Sequence, residues 1–177
     1  FTSQGRSSKR EDTGMSLRKR IALSLPAPTG QVSDTIALAQ AAEAAGYDDL
    51  WLADAGGLDA LTLVPMLLEN TKKVRVGIAV VPAYTRTPGV LSSTLTVIEQ
   101  AYPGRFVPGL GTSSHTIIEN WHGLKLEKPL TRMKETVAIL RSMLAGEKTD
   151  FEGETLRSKG YRQMPIEGVP IYLAALR

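Results

Sequence analysis

The sequence predicts an α/β fold built on a parallel sheet, and two observations carry that expectation. Short apolar strands and longer amphipathic helices alternate four times, at intervals of roughly 25–30 residues. This is the rhythm of right-handed βαβ units. The polar loops at 54–57, 82–88 and 111–115 each follow a strand, so they collect at the C-terminal edge of the sheet, where parallel α/β proteins place their sites.

Residues 20–25 (RIALSL) read as the first strand, stopped by Pro26, Ala27 and Pro28. Ser33 or Asp34 is expected to cap the first helix, which runs through Ala45 and ends on Gly46 as a C′ residue. Residues 49–53 (DLWLA) form the second strand. The second helix covers 58–70, with Leu61, Val64 and Leu68 on one face. In the third strand Val74, Val76, Ile78 and Val80 alternate with Arg75, Gly77, Ala79 and Val81. Gly77 and Ala79 leave one face almost without side chains, which lets a flat ligand or another backbone come close. Pro82 stops the ladder and Pro88 fixes the loop before the third helix. Both a buried strand with an ordinary turn and a cofactor-lining strand fit these residues.

The third helix carries Leu91, Leu95, Ile98 and Ala101 and closes at Gly104. The fourth strand covers 105–110 despite Pro108. Then the rhythm breaks, and residues from about 113 to 165 read as an inserted segment. It contains a helix over 130–145 with Met133, Val137, Leu140 and Leu144 in one stripe, and a small hairpin within 149–162. Residues 168–176 (GVPIYLAAL) form a fifth apolar strand.

Composition narrows the function. The chain has 177 residues and no cysteine, so disulfides and thiolate chemistry are excluded. That fits a reducing compartment, and a cytoplasmic location is expected. With only two histidines, His115 and His122, no metal site is expected. The net charge of +3 belongs to the leader. Residues 1–20 hold six Lys/Arg against Glu11 and Asp12, which leaves 15 basic and 16 acidic residues beyond them. Nucleic-acid binding is therefore discounted. Residues 1–17 read as a disordered leader or tag, with Met15 offering a natural start, and residues 18–177 as the folded portion. No apolar run approaches the length that spans a bilayer, and no membrane association is expected.

Five stretches, AAEAAGYDDLWLAD, VRVGIAVVPAYTRTP, GRFVPGLGTSSH, NWHGLKLEKPLTRMKETVAILR and VPIYLAAL, resemble the luciferase-like monooxygenase family in order and spacing. The branch most similar is the oxidoreductases that use the deazaflavin coenzyme F420. The resemblance covers about residues 18–176. It implies a TIM (β/α)8 barrel of the luciferase-like type, here truncated to about five parallel strands, with the cofactor at the C-terminal mouth. It implies hydride transfer between F420 and a small organic substrate. One alternative is an FMN-dependent monooxygenase, and another is a non-catalytic member that binds flavin or has only a structural role.

The resemblance also implies site residues. Asp54 matches the acidic position ending strand two, near the cofactor ring; a helix cap or loop turn fits it equally. Ala79 and Val80 match the place of a non-prolyl cis peptide that bulges behind the ring. Gly111, Thr112 and Ser113 match the strand-four segment that hydrogen-bonds the cofactor, and also fit a simple glycine turn. Ala174 and Ala175 match the strand-five segment near the cofactor's phosphate-bearing tail. His115, just beyond strand four, is a candidate proton donor or acceptor, and Asp54 is the second catalytic candidate. Trp121 and His122 could line the mouth or pack the inserted segment. Arg86 could meet an anionic cofactor tail or substrate, or serve as a surface charge, and Arg132 reads as a helix-surface charge.

The family chain is normally longer, since such a barrel takes about 250 residues. A truncated gene product, a fragment of a longer enzyme and a half-barrel completed by association all fit. The open edges of the first and last strands lead to the expectation of a homo-oligomer.

Overall fold

The computed structural model describes residues 19–26 and 30–175. The expected leader, residues 27–28 of the first loop and the last position of the expected fifth strand, Leu176, lie outside the described residues. In chain order the elements are β1 (Ala22–Ser24), α1 (Val32–Ala44), β2 (Asp49–Leu52), α2 (Ala60–Glu69), β3 (Arg75–Pro82), α3 (Pro88–Ala101) and β4 (Phe106–Gly111). A π-helical turn (Thr116–Trp121) follows, then α4 (Pro129–Leu144), the hairpin strands β5 (Asp150–Glu152) and β6 (Arg157–Lys159), and β7 (Tyr172–Leu173).

β1, β2, β3, β4 and β7 form one parallel sheet in that order, so each strand lies beside its predecessor in the sheet. This single winding is the arc of a (β/α) barrel, in contrast to the reversed order of a doubly wound sheet. Leu50, Leu52, Val76, Ile78, Phe106 and Leu110 of the strands pack in one core with Leu63, Leu67, Leu91, Leu95 and Leu140 of the helices. All eleven are at most 2% exposed. The sheet's other face carries Gly77, covered by the Trp51 ring, and Ser24, Gly109, Trp51 and Tyr172, which line an open concavity.

At the N-terminal ends of the strands a carboxylate ties three of them together. Asp49 opens β2. Arg20, just before β1, donates to it from Nε and Nη2 at 2.8 Å each, and Arg75 of β3 donates at 2.7 and 3.1 Å. Burial disfavours the Asp49 charge, but the two guanidiniums overcome it and hold the carboxyl down at about 2. Arg105 fastens the next strand, donating to the carbonyls of Leu68, Thr71 and Val74.

The structure corrects three local expectations. The N-cap of α1 is Gln31, with no side-chain cap bond, and Ser33 and Asp34 lie inside the first turn. Ala101 of α3 is exposed, whereas Leu91, Leu95 and Ile98 are buried. The fifth strand is far shorter than 168–176: only Tyr172 and Leu173 pair, with Gly109 and Leu110, and both side chains are about half exposed. The long helix and the hairpin form as the periodicity predicts, with Met133, Leu140 and Leu144 buried. The hairpin hangs from α4 through Glu135, whose carboxylate accepts from the N–H groups of Glu154, Thr155 and Leu156 and from the Thr155 hydroxyl. Those donors hold the Glu135 carboxyl below its usual range.

Candidate functional site

The site begins at a break in the ladder between β3 and β4. Ile78 pairs with Pro108, but the next pair is Val81 with Leu110, so β3 carries an extra residue there. The Ala79–Val80 peptide bond is cis, at the place the family resemblance implies. Two glycines of β4 make room for this bulge. A Cβ on Gly109 would stand 2.3 Å from the Ile78 carbonyl oxygen, and one on Gly111 would stand 2.2 Å from Val80 Cγ2. Neither position has space for a side chain.

The bulge faces a cavity of about 510 Å³ on the inner face of the sheet. Its walls include Ser24, Trp51, Ala79, Val80, Tyr172 and Ala174. The lining is mostly apolar and small, and the volume lies in the range of pockets for drug-sized ligands and cofactors, about 300–1,000 Å³. A flat heteroaromatic ring system fits such a lining: it needs apolar walls and close backbone approach, and Ala79, Gly109 and Ala174 provide both. The bare face expected at Gly77 is not open. The six-membered ring of Trp51 lies over it, and a Cβ there would stand 2.5 Å from Trp51 Cζ3.

A second, charged cluster sits on the rim formed by the loops after β2 and β3. Asp59 caps α2, its Oδ2 accepting from the Thr62 N–H at 2.8 Å. Arg86 is paired with Asp59, while its buried Nε has no hydrogen-bond partner among the described residues. Asp54 is half-buried beside them. Burial pushes its carboxyl up, against the pull of Arg86, and the neighbouring Asp59 adds to the rise. Trp121 packs its ring against Gly56 of the same loop.

The expected site residues therefore divide. Ala79, Val80 and Ala174 line the cavity. Gly111 supports Val80 from behind, and Thr112 and Ser113 lead away from it half-buried, Ser113 with φ +64°. Ala175 follows at the sheet's end. Asp54 belongs to the charged rim. His115 lies outside both clusters, 75% exposed, its Nδ1 3.0 Å from Glu119 Oε2. Arg132 is more than a surface charge: it stacks over the Tyr84 ring at 5.4 Å and donates to the Thr155 carbonyl at 2.9 Å, joining the loop after β3 to the hairpin. The ring of Trp51, close to that of Tyr172, is the feature that sequence reasoning missed. The signal for it was the register itself, which sets Trp51 beside Gly77 and Tyr172 beside Gly109.

Among the described residues no group of His, Asp and Glu is arranged to hold a metal ion, and no helix is long and apolar enough to cross a membrane.

Comparison with known proteins gives consistent matches. The family model described as luciferase-like monooxygenase matches residues 12–177. The chain is 31% identical over 150 residues to a 5,10-methylenetetrahydromethanopterin reductase of Methanolobus tindarius, covering 84% of this chain and 46% of that protein. It is 31% identical over 158 residues to an F420-dependent glucose-6-phosphate dehydrogenase of Mycobacterium avium, covering 80% of this chain and 47% of that protein. The chain thus spans about half the length of these relatives. Among solved structures, the coenzyme F420 dependent tetrahydromethanopterin reductase from Methanopyrus kandleri superposes with a TM-score of 0.79 at 20% identity, over 88% of this chain and 50% of that one.

Proposed function

The chain belongs to the luciferase-like monooxygenase family, whose TIM-barrel fold its five parallel strands share, and we propose that it serves an F420-dependent oxidoreductase. In this reading a hydride passes between the deazaflavin and a small organic substrate at the mouth of the barrel. The observation that carries the reading is the apolar cavity of about 510 Å³ against the Ala79–Val80 bulge. Relatives about 30% identical that use F420 support the choice of cofactor.

When bound, the deazaflavin supplies the carbon that gives or takes the hydride. The chain supplies position and electrostatics. Ala79 and Val80 set the wall behind the ring, and Gly111 keeps Val80 in place. Thr112 and Ser113 offer hydrogen bonds at the end of β4, and Ala174 and Ala175 leave space for the cofactor's tail. The apolar lining excludes water from one face of the ring. Asp54 is the rim group proposed to hold or move the proton that accompanies the hydride, and His115, exposed beyond β4 and outside the rim cluster, is the second candidate. Burial raises the Asp54 carboxyl, so it holds a proton more tightly than an ordinary aspartate does.

The test is a spectroscopic assay of the purified chain with F420 and, separately, FMN, against a panel of alcohols, aldehydes and pterins. The reading predicts substrate-dependent bleaching of the F420 absorbance. Tight F420 binding without hydride exchange for any substrate would favour a non-catalytic role. Oxygen consumption with reduced FMN alone would favour the monooxygenase alternative.

A further inference from the structure

The inner face of the sheet contains two large rings among small residues. Trp51 on β2 and Tyr172 on β7 are separated by two strands, yet their ring centroids lie 5.9 Å apart at an interplanar angle of 38°. The residue that would otherwise fill the space under the indole is Gly77 on β3. Trp51 lies beside Gly77 in the ladder, and Tyr172 lies beside Gly109. A side chain at Gly77 would collide with the indole at 2.5 Å, so the glycine is what lets the ring lie flat across the strand.

The two rings form a layer. Ala79 lies two residues beyond Gly77 on β3, and Ala174 two beyond Tyr172 at the end of β7, a step of roughly 6.6 Å toward the mouth. Both rings line the cavity that the Ala79–Val80 bulge faces.

We propose that the Trp51 and Tyr172 rings are the floor of the cofactor cavity. A flat heteroaromatic ring seats on Trp51, which sets how deep that ring enters the barrel. The inference rests on the proposed F420 reading and adds a positioning residue to it. Contact with an aromatic floor adds stacking to the apolar burial, and it limits the ligand to a planar ring held one layer above the indole.

The test uses the full chain. The sequence has two tryptophans, so the Trp121→Phe protein labelled with 5-fluorotryptophan gives one fluorine resonance, that of Trp51. The proposal predicts that this line shifts saturably as F420 is added. It predicts that Trp51→Leu weakens F420 binding about tenfold, whereas Trp51→Phe, which keeps a ring, stays within about threefold. Gly77→Ala lifts the indole and also weakens binding. Circular dichroism checks that each variant is folded, and the fluorine line decides the matter without any change at Trp51. An unmoved line during saturable F420 binding, or an unchanged Kd in folded Trp51→Leu, overturns the floor and leaves the F420 reading standing. Failure of the unaltered chain to bind F420 or FMN overturns both.

Discussion

Replacing Asp49 by Asn separates the scaffold of the barrel from its site. Asp49 lies at the N-terminal ends of the strands, where residues serve stability, and the cavity opens at the other end. The substitution removes the one negative charge that Arg20 and Arg75 share at this position. The cost follows from the carboxyl's position at about 2, against an ordinary 3.8. A difference of that size corresponds to about 2 kcal/mol at 1.36 kcal/mol for each pH unit. The sign is fixed by linkage. The folded state holds this group's proton less tightly than the unfolded chain. Its stabilisation is therefore complete above pH 3.8 and is lost as the pH falls through 2. Urea unfolding of the two proteins, compared at each pH so that other carboxylates cancel, should show a gap of about 2 kcal/mol at pH 7. About half of that gap should remain at pH 3. F420 affinity at pH 7, well below the melting temperature, should be unchanged. A gap that is constant from pH 7 to pH 3, or one below about 0.5 kcal/mol, would refute the reasoning.

Other substitutions test other parts of the account. Gly111→Ala places a Cβ 2.2 Å from Val80 Cγ2, so F420 binding measured by fluorescence should weaken about tenfold or more. Unchanged affinity would show that Val80 does not define the wall. Glu135→Gln weakens the carboxylate's hold on three backbone N–H groups and should lower the melting temperature, with faster hydrogen exchange at Glu154, Thr155 and Leu156. Asp54→Asn should raise the melting temperature at neutral pH, because burial penalises the ionised carboxyl. The wild-type protein gains stability as the pH falls through the raised Asp54 position, and the Asn protein should lack that part of the profile. Light scattering coupled to size exclusion should give a multiple of 19.1 kDa, and a compact monomer would count against the homo-oligomer.

The alternation of strands and helices was legible because each element buries one regular face. The 3.6-residue stripe of α4 and the mixed small and β-branched pattern of β3 both appear in the structure. The bulge at Ala79 and Val80 came from resemblance, since no spacing marks a register shift that depends on the neighbouring strand. β7 was overextended because an apolar run signals burial, but β4 offers it only Gly109 and Leu110 as partners. Gln31 displaced Ser33 and Asp34 as the cap because its extended backbone, φ −79° and ψ 146°, starts the helix earlier. Arg86 read equally as an anion contact or a surface charge, since nothing local announces that Asp59, 27 positions earlier, pairs with it. The aromatic floor was hidden for the same reason: Trp51 and Tyr172 meet across two intervening strands, and only the register makes them neighbours.

The central claim is that the cavity beside the Ala79–Val80 bulge takes a deazaflavin. Equilibrium dialysis of the purified chain against equimolar F420 and FMN tests it most directly. The account predicts that F420 is retained saturably, with FMN held at least about tenfold more weakly. Retention of FMN in preference to F420, or of neither, would contradict it.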